Sequence, residues 1–220
     1  MNRVELAHLL DHSLLTPGAT EEEIVAQAEV VRHWGIGFFC VQPRYVSLAT
    51  GALRESGSRV VSVVGFPHGC DRSSVKAHAA ELAVRDGAAE VDMVMNVGRL
   101  KSGRSQAVAD EIVQVVRAIP DIPVKVILET CLLTEEEKVT ACRMVRHSGA
   151  AFVKTSTGFH PAGGAALENV RLLRATVGPD FGVKAAGGIR TLADALAMLE
   201  AGANRLGTSA SPAILSVLPG

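Results

Sequence analysis

Short apolar, β-branched runs recur at fairly even intervals, and each is followed by a longer amphipathic stretch. Eight such runs are predicted strands, at residues 9–14, 38–42, 59–65, 90–96, 124–130, 152–157, 182–187 and 205–208. Between them the apolar spacing turns helical. Thr20 followed by Glu23 reads as a capping box ahead of Ile24, Val25, Ala28 and Val31. Thr134 with Glu137 repeats it ahead of Val139, Cys142 and Val145, and Gly149 stands where a helix ends. Thr191 opens a further helix through Leu192, Leu196 and Leu199, closed by Gly202.

Strands alternating with helices imply a parallel sheet with right-handed crossovers. Eight such units, with no linker or low-complexity stretch between them, predict a single-domain (β/α)8 TIM barrel over residues 1–220. Asp11 and His12 interrupt the first run. If that run is not a strand, an open doubly wound sheet is the alternative.

The interior of such a barrel should be apolar, and here it is not. The chain has six lysines against sixteen arginines. Lys76, Lys101 and Lys138 fall in helices or loops and read as solvated surface, whereas Lys125, Lys154 and Lys184 fall within strands. Side chains alternate between the two faces of a strand. Lys154 shares its face with Phe152 and Ser156. Lys184 has only Gly182 and Ala186 beside it, leaving room for a long side chain or a ligand. Asp92 lies opposite Val91 and Met93, and Lys125 shares a face with Glu129. Neighbouring strands lie about 4.8 Å apart. Lys154 and Lys184, on consecutive strands, therefore bring their amines within roughly 5 Å, where two like charges repel by about 3 kcal/mol at an effective dielectric near 20. Such repulsion holds one amine neutral near pH 7, as an imine-forming nucleophile requires. The plainer alternative is that each lysine pairs with a carboxylate or snorkels to water. Three strand lysines with Asp92 favour a site at the barrel mouth, where catalysis on this fold occurs.

Three glycine- and hydroxyl-rich turns follow the last three strands: Thr155-Ser156-Thr157-Gly158, Ala186-Gly187-Gly188 and Gly207-Thr208-Ser209. Backbone N–H groups freed by glycine cradle anions, and barrels frequently hold phosphate after strands 7 and 8 beside a short extra helix. Residues 211–217, with Pro212 in the first turn, are predicted as that helix.

The formal net charge of -1 provides no basic field for nucleic acid, and 4% aromatic residues provide few stacking platforms. The four cysteines are irregularly spaced and read as reduced thiols. His68 and Cys70 lack a second closely spaced pair, so no metal site is expected. With no signal-like N-terminus and no apolar run of membrane-spanning length, the expected location is the cytoplasm, without membrane or nucleic-acid partners.

In this order, Asp11-His12-Ser13-Leu14-Leu15, Cys40-Val41-Gln42-Pro43, Val64-Gly65-Phe66-Pro67, Glu90-Val91-Asp92-Met93-Val94 and Lys125-Val126-Ile127-Leu128-Glu129-Thr130 lead into three further segments. These are Phe152-Val153-Lys154-Thr155-Ser156-Thr157-Gly158, Val183-Lys184-Ala185-Ala186-Gly187-Gly188-Ile189-Arg190 and Arg205-Leu206-Gly207-Thr208-Ser209. Over essentially its whole length the chain resembles the deoxyribose-phosphate aldolase family. The resemblance implies reversible cleavage of 2-deoxy-D-ribose 5-phosphate to acetaldehyde and D-glyceraldehyde 3-phosphate, in deoxyribonucleotide catabolism. It implies Lys154 as Schiff-base nucleophile, Lys184 as the neighbouring cation and Asp92 as proton donor and acceptor. Asp11 and Lys125 would be the supporting polar network, and Gly158, Gly187, Gly188 and Ser209 the phosphate positions. No cofactor or metal is implied, and a homo-oligomer, dimer or tetramer, is expected.

Ser13, Thr16 and Ala210 depart from the threonine, lysine and second serine usual at those places. Gly220 stands where some members carry a C-terminal tyrosine. Three other readings stay open: an imine-forming barrel aldolase with another substrate, a non-catalytic sugar-phosphate-binding regulator, and a barrel isomerase.

Overall fold

The computed structural model describes residues 1–219, which form a closed barrel of eight parallel strands in sequential order. The strands are β1 (Leu10–Leu14), β2 (Phe38–Val41), β3 (Arg59–Val64), β4 (Glu90–Val94), β5 (Val124–Ile127), β6 (Phe152–Lys154), β7 (Gly182–Ala186) and β8 (Arg205–Thr208). β1 pairs with both β2 and β8, so the interrupted first run is a strand and closes the sheet. Asp11 and His12 belong to it because they face opposite ways. Asp11 points into the barrel among charged partners, and His12 points out towards the helices.

Around the barrel lie α1 (Arg3–His8), α2 (Glu21–His33), α3 (Val46–Ala52), α4 (Ser73–Arg85), α5 (Val97–Lys101), α6 (Ser105–Ala118), α7 (Glu135–His147), α8 (Leu167–Val177), α9 (Leu192–Glu200) and α10 (Ser211–Leu215). Thr20 and Thr134 each close the reciprocal capping box that the sequence predicts, and Thr191, expected only to open its helix, closes a further one with Asp194. The main apolar core lies between the barrel's outer face and these helices. A second, smaller apolar cluster of Leu15, Phe38, Cys40, Val61 and Val63 fills only the β2–β3 side of the interior. The remainder of the interior carries the charged side chains.

Three expectations change on folding. β5 ends at Ile127, and Glu129 adopts a left-handed backbone with φ of 53°. Glu129 thus leaves Lys125's face and instead accepts hydrogen bonds from the Thr157 amide and hydroxyl. The room left by Gly182 is taken by Phe152, whose ring a Cβ at Gly182 would meet at 2.3 Å. It is Gly207 that clears Lys184, since a Cβ there would approach Lys184 Cε at 3.2 Å. The largest departure is Lys76, expected on the surface but fully buried. It shares the inner face of α4 with Ala80, four residues on, and Ala83, three beyond that, so the period carries it inward. Its amine donates to Gly69 O at 2.7 Å, Val94 O at 2.8 Å and Glu111 Oε1 at 2.8 Å.

Candidate active site

Strand register brings the interior charges together. Asp92 of β4 is level with Lys125 of β5, and Lys154 of β6 is level with Lys184 of β7. Lys184 is in turn level with Arg205 of β8. The resulting cluster is buried except at its lower end, where Arg205 is part-exposed. Lys125 Nζ donates to Asp92 Oδ1 at 2.8 Å and lies 2.6 Å from Glu90 Oε2. Lys154 and Lys184 both donate to Asp92 Oδ2, each at 2.7 Å. Lys184 also bonds Asp11, whose other oxygen accepts from Arg205 Nη1 at 3.0 Å. Arg205 closes the lower end by pairing with Glu90 at 2.9 Å, its guanidinium 3.7 Å from the centre of the Phe38 ring.

All five charged residues expected at the site, Lys154, Asp92, Lys184, Asp11 and Lys125, thus meet in one network. Glu90 and Arg205 belong to it as well and were not anticipated. The signal for both was parity: Glu90 is two residues before Asp92, and Arg205 two before Gly207, on the inward faces of β4 and β8.

The network has a surplus of charge. Three carboxylates, Asp11, Glu90 and Asp92, face four cations, Lys125, Lys154, Lys184 and Arg205. One extra positive charge in a dry interior is costly, and the simplest relief is loss of a proton. Burial is the main force lowering the Lys154 pKa; Asp92 opposes it and Lys184 adds to it. Burial acts on Lys184 too, but Asp11 and Asp92 together outweigh it and hold that amine above its usual range. The neighbouring cation therefore helps to depress Lys154, though desolvation contributes more than the repulsion expected from spacing alone. Asp92 would be raised by burial, yet Lys125, Lys154 and Lys184 hold it well below the carboxylate range. Burial also pushes the nearby Cys40 thiol up to about 11, so it does not compete as a thiolate.

Above the network opens a cavity of about 430 Å³. Of the seven charged residues only Lys154 lines it. The opposite wall holds Gly158, Gly187, Gly188 and Ser209, all four of the expected phosphate positions, from the turns after β6, β7 and β8. The turns meet with no room for side chains. A Cβ on Gly187 would meet Gly164 Cα at 3.0 Å and Gly158 Cα at 3.3 Å. Gly158 and Gly187 also have φ of 84° and 93°, which disfavour any other residue. Ser13 and Thr16 both line the cavity, whereas the Ala210 amide is turned away to Thr208 Oγ1 at 2.9 Å. Among the described residues no group of three His, Cys, Asp or Glu side chains is placed to hold a metal, and no helix is long and apolar enough to cross a membrane.

The sequence matches that of the DeoC/LacD family aldolases over residues 6–215. It is 50% identical to a deoxyribose-phosphate aldolase of Caldanaerobacter subterraneus subsp. tengcongensis, covering 96% of this chain and 93% of that protein. It is 48% identical to the deoxyribose-phosphate aldolase of Thermococcus kodakarensis, covering 100% and 99%. A solved structure described as the unique tetrameric structure of deoxyribose phosphate aldolase from Aeropyrum pernix superposes with a TM-score of 0.89 at 34% identity, covering 97% of this chain and 91% of that one. With a closed barrel, a lysine facing its mouth and a match of this extent, the chain belongs to the DeoC/LacD family of aldolases.

Proposed function

We propose that this protein is a Schiff-base aldolase that reversibly cleaves 2-deoxy-D-ribose 5-phosphate to acetaldehyde and D-glyceraldehyde 3-phosphate. The observation that carries this reading is the place of Lys154. It is the one amine of the buried cluster that reaches the cavity, and it is the one that burial and Lys184 drive towards neutrality. A neutral amine adds to the C1 aldehyde, and loss of water leaves an iminium ion on Lys154. The C2–C3 bond then breaks, its electron pair moving into the iminium to give an enamine, while the C3 hydroxyl proton leaves through a water to Asp92. Asp92 is a weak base while the iminium on Lys154 and the ammonium groups of Lys125 and Lys184 surround it. Conversion of the iminium to a neutral enamine withdraws one of those charges, so the carboxylate gains basicity at the step that needs it. Protonation of the enamine at C2 and hydrolysis release acetaldehyde and the free lysine.

Lys184, held cationic by Asp11 and Asp92, keeps the Lys154 amine neutral and Asp92 oriented. Lys125 and Asp11 hold that pair in place from below. The glycine turns with Ser209 take the 5-phosphate, at a distance from Lys154 that the cavity spans. Residues 1–220 act as one domain in this reading, in the cytoplasm and as a homo-oligomer. The tetrameric description of the Aeropyrum pernix relative and the exposed Val4 and Val25 side chains support self-association.

Borohydride reduction in the presence of acetaldehyde, followed by peptide mass mapping, tests the chemistry. The reduced adduct is expected on Lys154; an adduct elsewhere, or none in an active preparation, overturns the mechanism. Competition between deoxyribose 5-phosphate and other sugar phosphates tests the substrate.

A further inference from the structure

His12 takes no part in the chemistry above, yet it is buried on β1 and both of its ring nitrogens are engaged. Nε2 lies 2.8 Å from Gln27 Oε1 on α2, and Nδ1 lies 3.0 Å from Ser211 Oγ at the start of α10. The Gln27 oxygen can only accept, so Nε2 carries the proton and Nδ1 accepts from the Ser211 hydroxyl. Burial keeps the His12 pKa below its usual value, which favours this neutral, one-proton ring. Phe39 stacks beside it, with ring centres 6.1 Å apart and planes 30° apart, and fixes its orientation.

The other end of this contact is the phosphate cup. Ser211 is fully buried. The residue before it, Ala210, donates its amide to Thr208 Oγ1, and the Thr208 hydroxyl donates to Ile189 O at 2.7 Å. Ser209, Thr208, Gly188 and Ile189 all line the cavity. A continuous path therefore runs from the imidazole through the Ser209–Ser211 turn to the turn after β7, and it touches the two walls that face the phosphate.

We propose that His12 is a positioning residue for phosphate recognition, setting the Ser209–Ser211 turn through its acceptor bond to the Ser211 hydroxyl. This inference rests on the sugar-phosphate reading of the cavity. It assigns His12 no contact with substrate and no part in imine formation. Because Lys154 and Asp92 are held from the opposite face of β1 and from other strands, loosening the turn should leave the chemistry intact and weaken only what the cup binds.

The test compares two substrates and one ligand in the full-length protein. Replacing His12→Phe keeps the ring stacked on Phe39 and removes both hydrogen bonds, while Ser211→Ala removes only the bond to the turn. Loss of one buried hydrogen bond predicts a rise of about tenfold in KM for deoxyribose 5-phosphate, with kcat within about threefold of the parent. Unphosphorylated 2-deoxyribose should be cleaved by both variants within about twofold of the parent kcat/KM, because it makes no use of the cup. His12→Asn, whose Oδ1 can stand in for Nδ1 as acceptor, should recover most of the loss. Calorimetry with inorganic phosphate should show the same weakening in His12→Phe and Ser211→Ala. Equal losses on both substrates would assign His12 a merely structural role and overturn the proposal, as would an unchanged KM or a parent that binds no phosphate. If the parent binds phosphate and the variants bind it more weakly while deoxyribose 5-phosphate is not turned over, the positioning role stands and the substrate reading fails. Should His12→Phe not fold, Ser211→Ala and His12→Asn carry the same comparison.

Discussion

Lys76 and Lys154 are both buried lysines hydrogen-bonded to a carboxylate, and burial lowers the pKa of both. Their surroundings differ in two ways. The Lys76 ammonium donates to two carbonyls and Glu111, using all three of its protons, and it lines none of the cavity above the barrel. Its partner is equally well held, since Glu111 also accepts from the Asn96 amide. One cation meets one anion and the account is neutral. Lys154 instead has one acceptor, Asp92 Oδ2, and shares it with Lys184. It belongs to a cluster with one cation too many, and its amine faces open space. A depressed pKa is thus common to a structural lysine and a candidate nucleophile. Surplus charge, incomplete hydrogen bonding and access to a cavity separate them.

Substitutions at the two sites should therefore fail in opposite ways. The largest effect is expected from Lys154→Met, which should reduce turnover of deoxyribose 5-phosphate by about 10⁴-fold or more, since no other amine of the cluster reaches the cavity. Its denaturant midpoint should be equal to or above that of the parent, because the change removes a buried amine for which the cluster has no carboxylate to spare. Retained turnover would show that the nucleophile lies elsewhere.

Next in size is Lys76→Met, expected to destabilise by about 3–5 kcal/mol because Glu111 is left charged and unpaired in the interior. Molecules that remain folded should keep their turnover within about threefold, since Lys76 lies outside the chemistry. Combining Lys76→Met with Glu111→Leu should restore most of the stability, because replacing both partners of a buried pair with apolar groups is often near neutral. A double variant as unstable as the single one would show that Lys76 acts through Gly69 and Val94 rather than through charge pairing.

The smallest of the three concerns pH. An amine with a lowered pKa is neutral above that value and protonated below it, so kcat/KM should fall as pH drops through the Lys154 pKa. Lys184→Met removes a cation that depresses this pKa and leaves Asp92 to favour the ammonium form. The acid limb should therefore move to higher pH, with a fall in kcat/KM near neutrality of about 10²-fold. An acid limb that stays in place, or moves down, would assign the depression to burial alone.

Much of this was legible along the chain. Period-two alternation placed Asp92, Lys125, Lys154 and Lys184 on inward faces, because a strand has no other way to arrange its side chains. The glycine turns after β6 and β7 were readable for a similar reason, since the positive φ of Gly158, Gly187 and Gly188 disfavours most other residues. Less was readable where a residue's environment came from several elements at once. Lys76 looked like surface because a lysine on a helix usually is. Its burial follows from α4 and α6 closing over it, with Glu111 brought from 35 positions away. Glu129 left its strand face because β5 stops at Ile127 and the turn rotates the chain.

Local periodicity and turn chemistry, which act over a few residues, were enough to define eight strands, the direction in which each strand lysine points and the three turns of the cup. The charge balance of the interior came from closure of the barrel. Asp11 and Arg205, 194 positions apart, share a hydrogen bond because β1 and β8 are neighbours. The sum of seven charges exists only in the folded chain, where a dry interior makes one surplus proton expensive. That long-range sum selects Lys154, among four buried lysines, as the amine that is both exposed to the cavity and driven to be neutral.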